Sequence, residues 1–132
     1  MVAIVDINDH SRHRPINDVD VISTEPAGKK IVVKSLNVEL ASSDDALVLH
    51  EKHLRGETFD VYPDAFYIPR KDVDLSKFTK TESVTYCPYK GYASYYAYNG
   101  QEVAWSYETP YDQKKEIKGH LAFYKDRVDI LS

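Results

Sequence analysis

The sequence is poor in the residues that most often announce a chemistry. One cysteine, Cys87, excludes an internal disulfide, and no apolar run approaches the roughly 20 residues that a membrane helix requires. The N-terminus "MVAIVDINDHSRHRPINDVD" lacks the charged start, apolar stretch and small-residue cleavage site of a secretory signal, so a reducing cytoplasm and no membrane partner are expected. Basic excess is missing too. Against 21 acidic residues stand 17 basic ones, a net charge of -4, the wrong sign for a domain that neutralises phosphates, and nucleic acid is not an expected partner. No basic run exceeds a pair, and Lys29-Lys30 and Lys114-Lys115 read as solvated loop ends. Neither an internal repeat nor a low-complexity segment occurs.

What is present is tyrosine. The chain of 132 residues has 11 of them, an aromatic share that favours strands, and a length suited to one domain with its own core. Residues 1–30 read as an N-terminal arm and lead-in segment, and 31–132 as a single β domain. The arm carries His10 and His13, too sparsely accompanied to bind a metal. "KKIVVKSLNVELA" reads as one period-two strand with an irregularity near Ser35. "SSDDALVLHEKHLRG" has the caps of a helix ending at Gly56, yet "ALVLHE" is also strand-like. "AFYIP" is a strand stopped by Pro69, followed by a short helical turn capped by Asp72 or Asp74.

In "TYCPYKGYASYYAYNGQEVAWSYETP", Asn99-Gly100 is the preferred two-residue hairpin turn. Pairing outward sets Tyr96 opposite Val103 and Ser94 opposite Trp105. One face then carries Tyr92, Tyr96, Tyr98, Val103, Trp105 and Tyr107, and the other Ala93, Tyr95, Ala97, Glu102, Ala104 and Ser106. A second hairpin around Lys125-Asp126 closes the chain. Pro88 and Gly91 make "CPYKG" a chain reversal.

The segments "EKHLRGETFDVYPDAFYIPRKDV", "TYCPYKGYASYY", "AWSYETP" and "IKGHLAFYKDRV" together resemble a bacterial family of small proteins known as domain of unknown function 427, from about Ile31 to Ile130. The resemblance implies a mainly β fold of compact antiparallel sheets, β-tent-like, with one or two short helical turns and a concave surface near the motifs. On that ground "ALVLHE" is expected to be a strand. The longer loop "KHLRGETFDVYPDA" departs from the family pattern. The family's occasional nucleotidyltransferase-like label finds no support in these residues, which offer neither a Gly-rich phosphate loop nor paired aspartates for magnesium.

Two chemistries compete for the conspicuous residues. Cys87 and Lys90 are candidate catalytic groups, since a lysine near a thiol favours the attacking thiolate, with His50, His53 or His120 as a base. If residues 46–51 form a strand, His50 and Glu51 face opposite sides. Glu51, Tyr67, Arg70, Trp105 and Tyr107, together with Lys90, are candidate ligand-binding groups, whose convergence is implied by the resemblance: planar donors, a point charge, an acceptor and flat aromatic faces. The plain alternative is that the charged groups brace loops while the aromatic rings fill the core. One cysteine and scattered histidines do not make a zinc site, and no cofactor is expected. A binding protein for a small anionic or aromatic molecule is the leading expectation; a covalent enzyme or a protein-interaction module are its rivals, with the oligomeric state left open.

Overall fold

The computed structural model describes residues 21–132, so the part of the arm with His10 and His13 lies outside the described residues. Among the described residues ten strands follow one another: β1 (Val21–Pro26), β2 (Ile31–Ser35), β3 (Val38–Ser43), β4 (Leu47–Arg55), β5 (Thr58–Ile68), β6 (Thr79–Cys87), β7 (Gly91–Tyr98), β8 (Gln101–Ser106), β9 (Leu121–Phe123) and β10 (Asp129–Leu131). Seven form one sheet in the order β1-β4-β5-β9-β8-β7-β6, and three form a second in the order β10-β2-β3. All pairings between these strands are antiparallel. The helical elements among the described residues are 3-10 turns, and none is long or apolar enough to cross a membrane.

Two apolar clusters lie on the two faces of the large sheet. Ile31, Val33 and Leu40 of the small sheet pack against Ile68, Tyr96, Val103, Leu121 and Phe123, forming the core between the sheets. Alternation along the same strands sends Tyr67, Ala93 and Ala122 to the opposite face, where they join Ile22, Leu49, Tyr107 and Ile117.

Residues 47–55 are a strand, as the family resemblance implies and against their helix-like caps. Pairing with β1 and β5 decides the matter, because both edges of β4 find ladder partners. β5 ends at Ile68 before Pro69, and the Asp74 carboxylate accepts the Ser76 amide at 3.3 Å to cap the second 3-10 turn.

Several local expectations need correction. The run around Ser35 is two strands joined by a turn, with exposed Leu36 at φ 54. β9 and β10 do not form a hairpin: β9 lies between β5 and β8, whereas β10 pairs with β2 in the other sheet. The loop "KHLRGETFDVYPDA" is largely a continuation of β4 and β5 into a long hairpin that turns at Gly56. Lys114 is buried, with its Nζ 3.3 Å from Glu116 Oε1, so that pair is not wholly a solvated loop end.

The most consequential correction concerns the tyrosine hairpin. Asn99 and Gly100 do take positive φ, and Tyr98 does oppose Gln101. A β-bulge then places Tyr96 opposite Ala104 and Tyr95 opposite Trp105, leaving Val103 as the extra residue. Val103 and Ala104 both enter the intersheet core. The alternation restarts after them, so Trp105 and Tyr107 share a face with Ala93 and Tyr95, not with Tyr96 and Tyr98.

Cys87 pairs with Gly91 to close the "CPYKG" turn. Gly91 has φ 111, and a Cβ there would touch the Pro110 Cα and Thr109 carbonyl, each at 3.5 Å. The adjacent Lys90 carbonyl accepts the Tyr111 amide at 3.0 Å, fixing this approach. Gly91→Ala should therefore cost about 1–2 kcal/mol through backbone strain, read as a lower urea midpoint; an unchanged midpoint would show that the turn does not need glycine.

Candidate functional site

A cavity of about 470 Å³ opens on the face of the large sheet that points away from the small one. Tyr67, Tyr95, Trp105 and Tyr107 line it from β5, β7, β8 and the residue after β8, while Glu51 comes from β4 and Lys90 from the "CPYKG" turn. The Trp105 ring is half-buried, meeting Tyr67 edge-on at 6.4 Å between centroids and Tyr124 at 4.7 Å. Its indole Nε1 donates to the Tyr67 hydroxyl at 3.2 Å. Polar tips thus sit among flat apolar surfaces, a composition typical of small-molecule sites.

Two of the charged residues lining the cavity form an ion pair. Lys90 Nζ donates to Glu51 Oε1 at 2.8 Å, with side-chain exposures of only 9% and 16%. The same ammonium lies 5.3 Å from the centre of the Tyr107 ring, within range of a cation–π contact. Glu51 uses its second oxygen for His53, whose Nε2 is 2.7 Å from Oε2. Burial pushes the Glu51 carboxyl upward, but the Lys90 ammonium and the His53 hydrogen bond outweigh it and hold the group below its ordinary value of 4.5. Burial also works against the charge on Lys90, yet neighbouring Tyr67, Cys87 and Glu51 raise its pKa above 10.5. Tyr67 and Tyr107 are raised as well, chiefly by burial, and remain neutral phenols at physiological pH.

This contact also describes the shape of the sheet. Four interstrand steps separate β4 from β7 in the sheet order, about 19 Å in a flat sheet at the usual strand spacing. Two side chains cannot bridge that distance, so the sheet must curl to bring the turn leading into β7 against β4. The cavity occupies the concave side.

Of the seven candidate residues, Glu51, Tyr67, Lys90, Trp105 and Tyr107 are brought to this cavity. Cys87 is partly buried and packs against the same apolar cluster. Arg70 lies elsewhere, over the Tyr96 ring, donating to Glu108 Oε2 and the Tyr96 hydroxyl at 2.8 Å each. Lys80 takes the other oxygen of Glu108 at 2.7 Å. The His120 ring donates to the Lys118 carbonyl at 3.1 Å, and His50 bridges Asp64 and Glu25 at 2.8 and 3.1 Å. His50 and Glu51 therefore reach different partners, as strand alternation requires. Sequence reasoning passed over Tyr62, Tyr95 and Tyr124 as cavity walls. It did not place His53 beside Glu51, although the two are separated by one residue on a strand and so share a face.

A protein-family profile described as a domain of unknown function (DUF427) matches residues 23–132. The chain belongs to the domain of unknown function 427 family. No curated protein matches it. For this DUF427 chain the family supplies no chemistry, which must be argued from the cavity itself.

Removing one partner of the ion pair should be costly. Lys90→Met leaves the Glu51 carboxylate enclosed without its cation and should lower stability by about 3 kcal/mol; the double variant Glu51→Gln, Lys90→Met should recover much of the loss. The depressed Glu51 pKa adds a pH signature. Its stabilisation is complete above the unfolded value and is lost as pH falls through the lower folded value, so acid unfolding of the native chain should be steeper below about pH 4.5 than that of Glu51→Gln. Equal acid sensitivity in urea titrations would contradict the pairing.

Proposed function

We propose that this DUF427 protein binds a small molecule that is anionic, aromatic or both, in the curled-sheet cavity and in a cytoplasmic setting. The observation that carries the reading is the enclosed Lys90–Glu51 pair lining an aromatic cavity. Enclosing a charge pair costs desolvation energy, and a packed apolar pair would serve a core at least as well. A polar pair beside half-buried Trp105 and Tyr95 instead suits a floor that meets a ligand. Flat rings would stack on Trp105 and Tyr95, and the ammonium would accept an acidic group.

Saturating ligand should raise stability by about 2.7 kcal/mol at a hundredfold excess over Kd, read as a thermal shift. Trp105→Leu should fold, by circular dichroism, and lose that shift. A broad screen of aromatic acids that stabilises neither protein would contradict the proposal.

A covalent role for Cys87 is a second reading, favoured by its place in the turn that presents Lys90 and against the apolar cluster beneath the cavity. Lys90 itself suits charge recognition better than nucleophilic attack, because its amine is held protonated. Iodoacetamide should modify Cys87 faster in the native chain than in Lys90→Met if the ammonium stabilises the thiolate; equal rates in the two folded proteins would remove this reading.

A further inference from the structure

The enclosed end of the cavity has hydrogen-bond donors to spare. Register across the large sheet sets Tyr67, Ala122, Trp105 and Tyr95 side by side on β5, β9, β8 and β7, all on the concave face. Small Ala122 stands between the two large rings, and the bond from Trp105 Nε1 to the Tyr67 hydroxyl spans it. Tyr107 follows two residues beyond Trp105, its ring facing the Lys90 ammonium. An indole N–H can only donate, so the Tyr67 oxygen accepts that bond, and its own hydrogen has no acceptor among the described residues. The Tyr107 hydroxyl has no hydrogen-bond partner among them, although the residue is only 7% exposed. It is not sealed in: Ser106 Oγ is the only fully enclosed side-chain oxygen or nitrogen left unpaired among the described residues, so the Tyr107 hydroxyl opens into the cavity that its ring lines.

We propose that this end is an oxyanion site, which takes an aromatic ligand through a ring hydroxyl bound in its ionised form: a phenol or enol acidified by conjugation with an electron-withdrawing group. This deepens the binding reading above and rests on it. A neutral ligand hydroxyl would bring one more donor to Tyr67, Tyr107 and Lys90, while the Glu51 oxygens are already engaged by Lys90 and His53. Ionised, the same oxygen accepts from the phenols and the ammonium, and hydrogen bonds made to the charged form favour it. The ligand O–H bond breaks with its electron pair left on oxygen. Its proton goes to solvent water, since Lys90 is already protonated and Glu51 is held ionised.

Shape favours a ring hydroxyl over a carboxylate. A ring stacked on Trp105 has its edge at the indole Nε1 and hence at the Tyr67 hydroxyl, so an oxygen bonded directly to that ring needs no spacer. Separate single donors suit one oxygen atom, whereas a carboxylate is met best by the two-pronged guanidinium of arginine. Arg70, the candidate of that kind, is committed to Glu108 and Tyr96 away from the cavity. The mouth has another character, because Asp64, Lys125 and Asp126 are exposed there and Asp64 is bonded to His50.

The test titrates the full chain into 4-nitrophenol, 4-nitrobenzoate and 4-nitroanisole, in which the hydroxyl is methylated. Nitrophenol reports its own state, because its neutral and ionised forms absorb at different wavelengths. At a pH where the free probe is mostly neutral, binding should raise the ionised band in a saturable way, with the acid constant of the bound probe increased about tenfold. Where both probes are ionised, nitrobenzoate should bind more weakly than nitrophenol. Tyr107→Phe keeps the ring beside the ammonium, removes a hydroxyl without a partner in the protein, and should fold while losing most of the tenfold increase. Nitrophenol bound without ionisation, or ionised equally in Tyr107→Phe, would overturn the oxyanion site and leave the binding reading standing, as would nitrobenzoate bound as tightly as nitrophenol. Binding of none of the three would overturn both. If Tyr107→Phe does not fold, calorimetry of the native chain in two buffers of different ionisation enthalpy decides: proton release with nitrophenol and none with nitroanisole supports the site, and no release with nitrophenol overturns it.

Discussion

The Lys90–Glu51 contact joins parts of the large sheet that a flat sheet would hold about four strand spacings apart. A turn at one side of the sheet reaches a strand near the other, and the curl that permits it gives the sheet a concave face. The remaining features of that face follow from this constraint. Tyr107 lies under the ammonium, Tyr67 and Trp105 bond at the cavity wall, and Gly91 lets the 109–111 segment close against the turn that presents Lys90. Charge and curvature are thus parts of one arrangement, since loss of Lys90 would leave the enclosed Glu51 carboxylate without its cation.

The opposite face has a different task. There Tyr96, Val103, Leu121 and Phe123 meet the small sheet in a closed core, and Arg70 with Glu108 and Lys80 forms an ion network at its margin. Burial disfavours the Glu108 carboxylate, but hydrogen bonds from Lys80, Tyr96 and Ser94 outweigh it and hold the group ionised. Both Glu108 oxygens are thereby occupied by cations. Arg70 consequently braces the 3-10 turn after β5 against the end of β8, with Glu108 and not Glu51 as its partner. The two faces of one sheet divide between packing and an open aromatic cavity, and they do so along the same strands.

How much of this was legible in the sequence depended on whether a local rule applied. Asn99-Gly100, Pro69, Asp74 and the "CPYKG" turn each carry a backbone preference strong enough to act alone, and each sits where that preference directs. The Leu36 turn carries no such signal, because leucine rarely adopts positive φ and the strands on either side impose it. The bulge at Val103 is similarly silent: "EVAW" has no glycine, and the extra residue is accommodated because Val103 and Ala104 both fill the intersheet core. That one residue reverses which aromatic rings share a face. Five of the candidate site residues nevertheless meet at the cavity, since motif resemblance depends on the final fold rather than on ideal strand alternation. Arg70 follows Pro69, beyond the end of β5, so strand alternation does not set its direction; the fold places it over Tyr96, away from the cavity.

The central claim is that the enclosed ammonium of Lys90 is a ligand contact and not only a brace. The most direct measurement follows the Nζ resonance of Lys90 by nitrogen-15 NMR in the folded chain, assigned by its loss in Lys90→Met, while an aromatic carboxylate is added. The account predicts a slowly exchanging ammonium signal that shifts in a saturable way, together with the Trp105 indole signal. A Lys90 resonance that stays fixed while the Trp105 signal moves would contradict it.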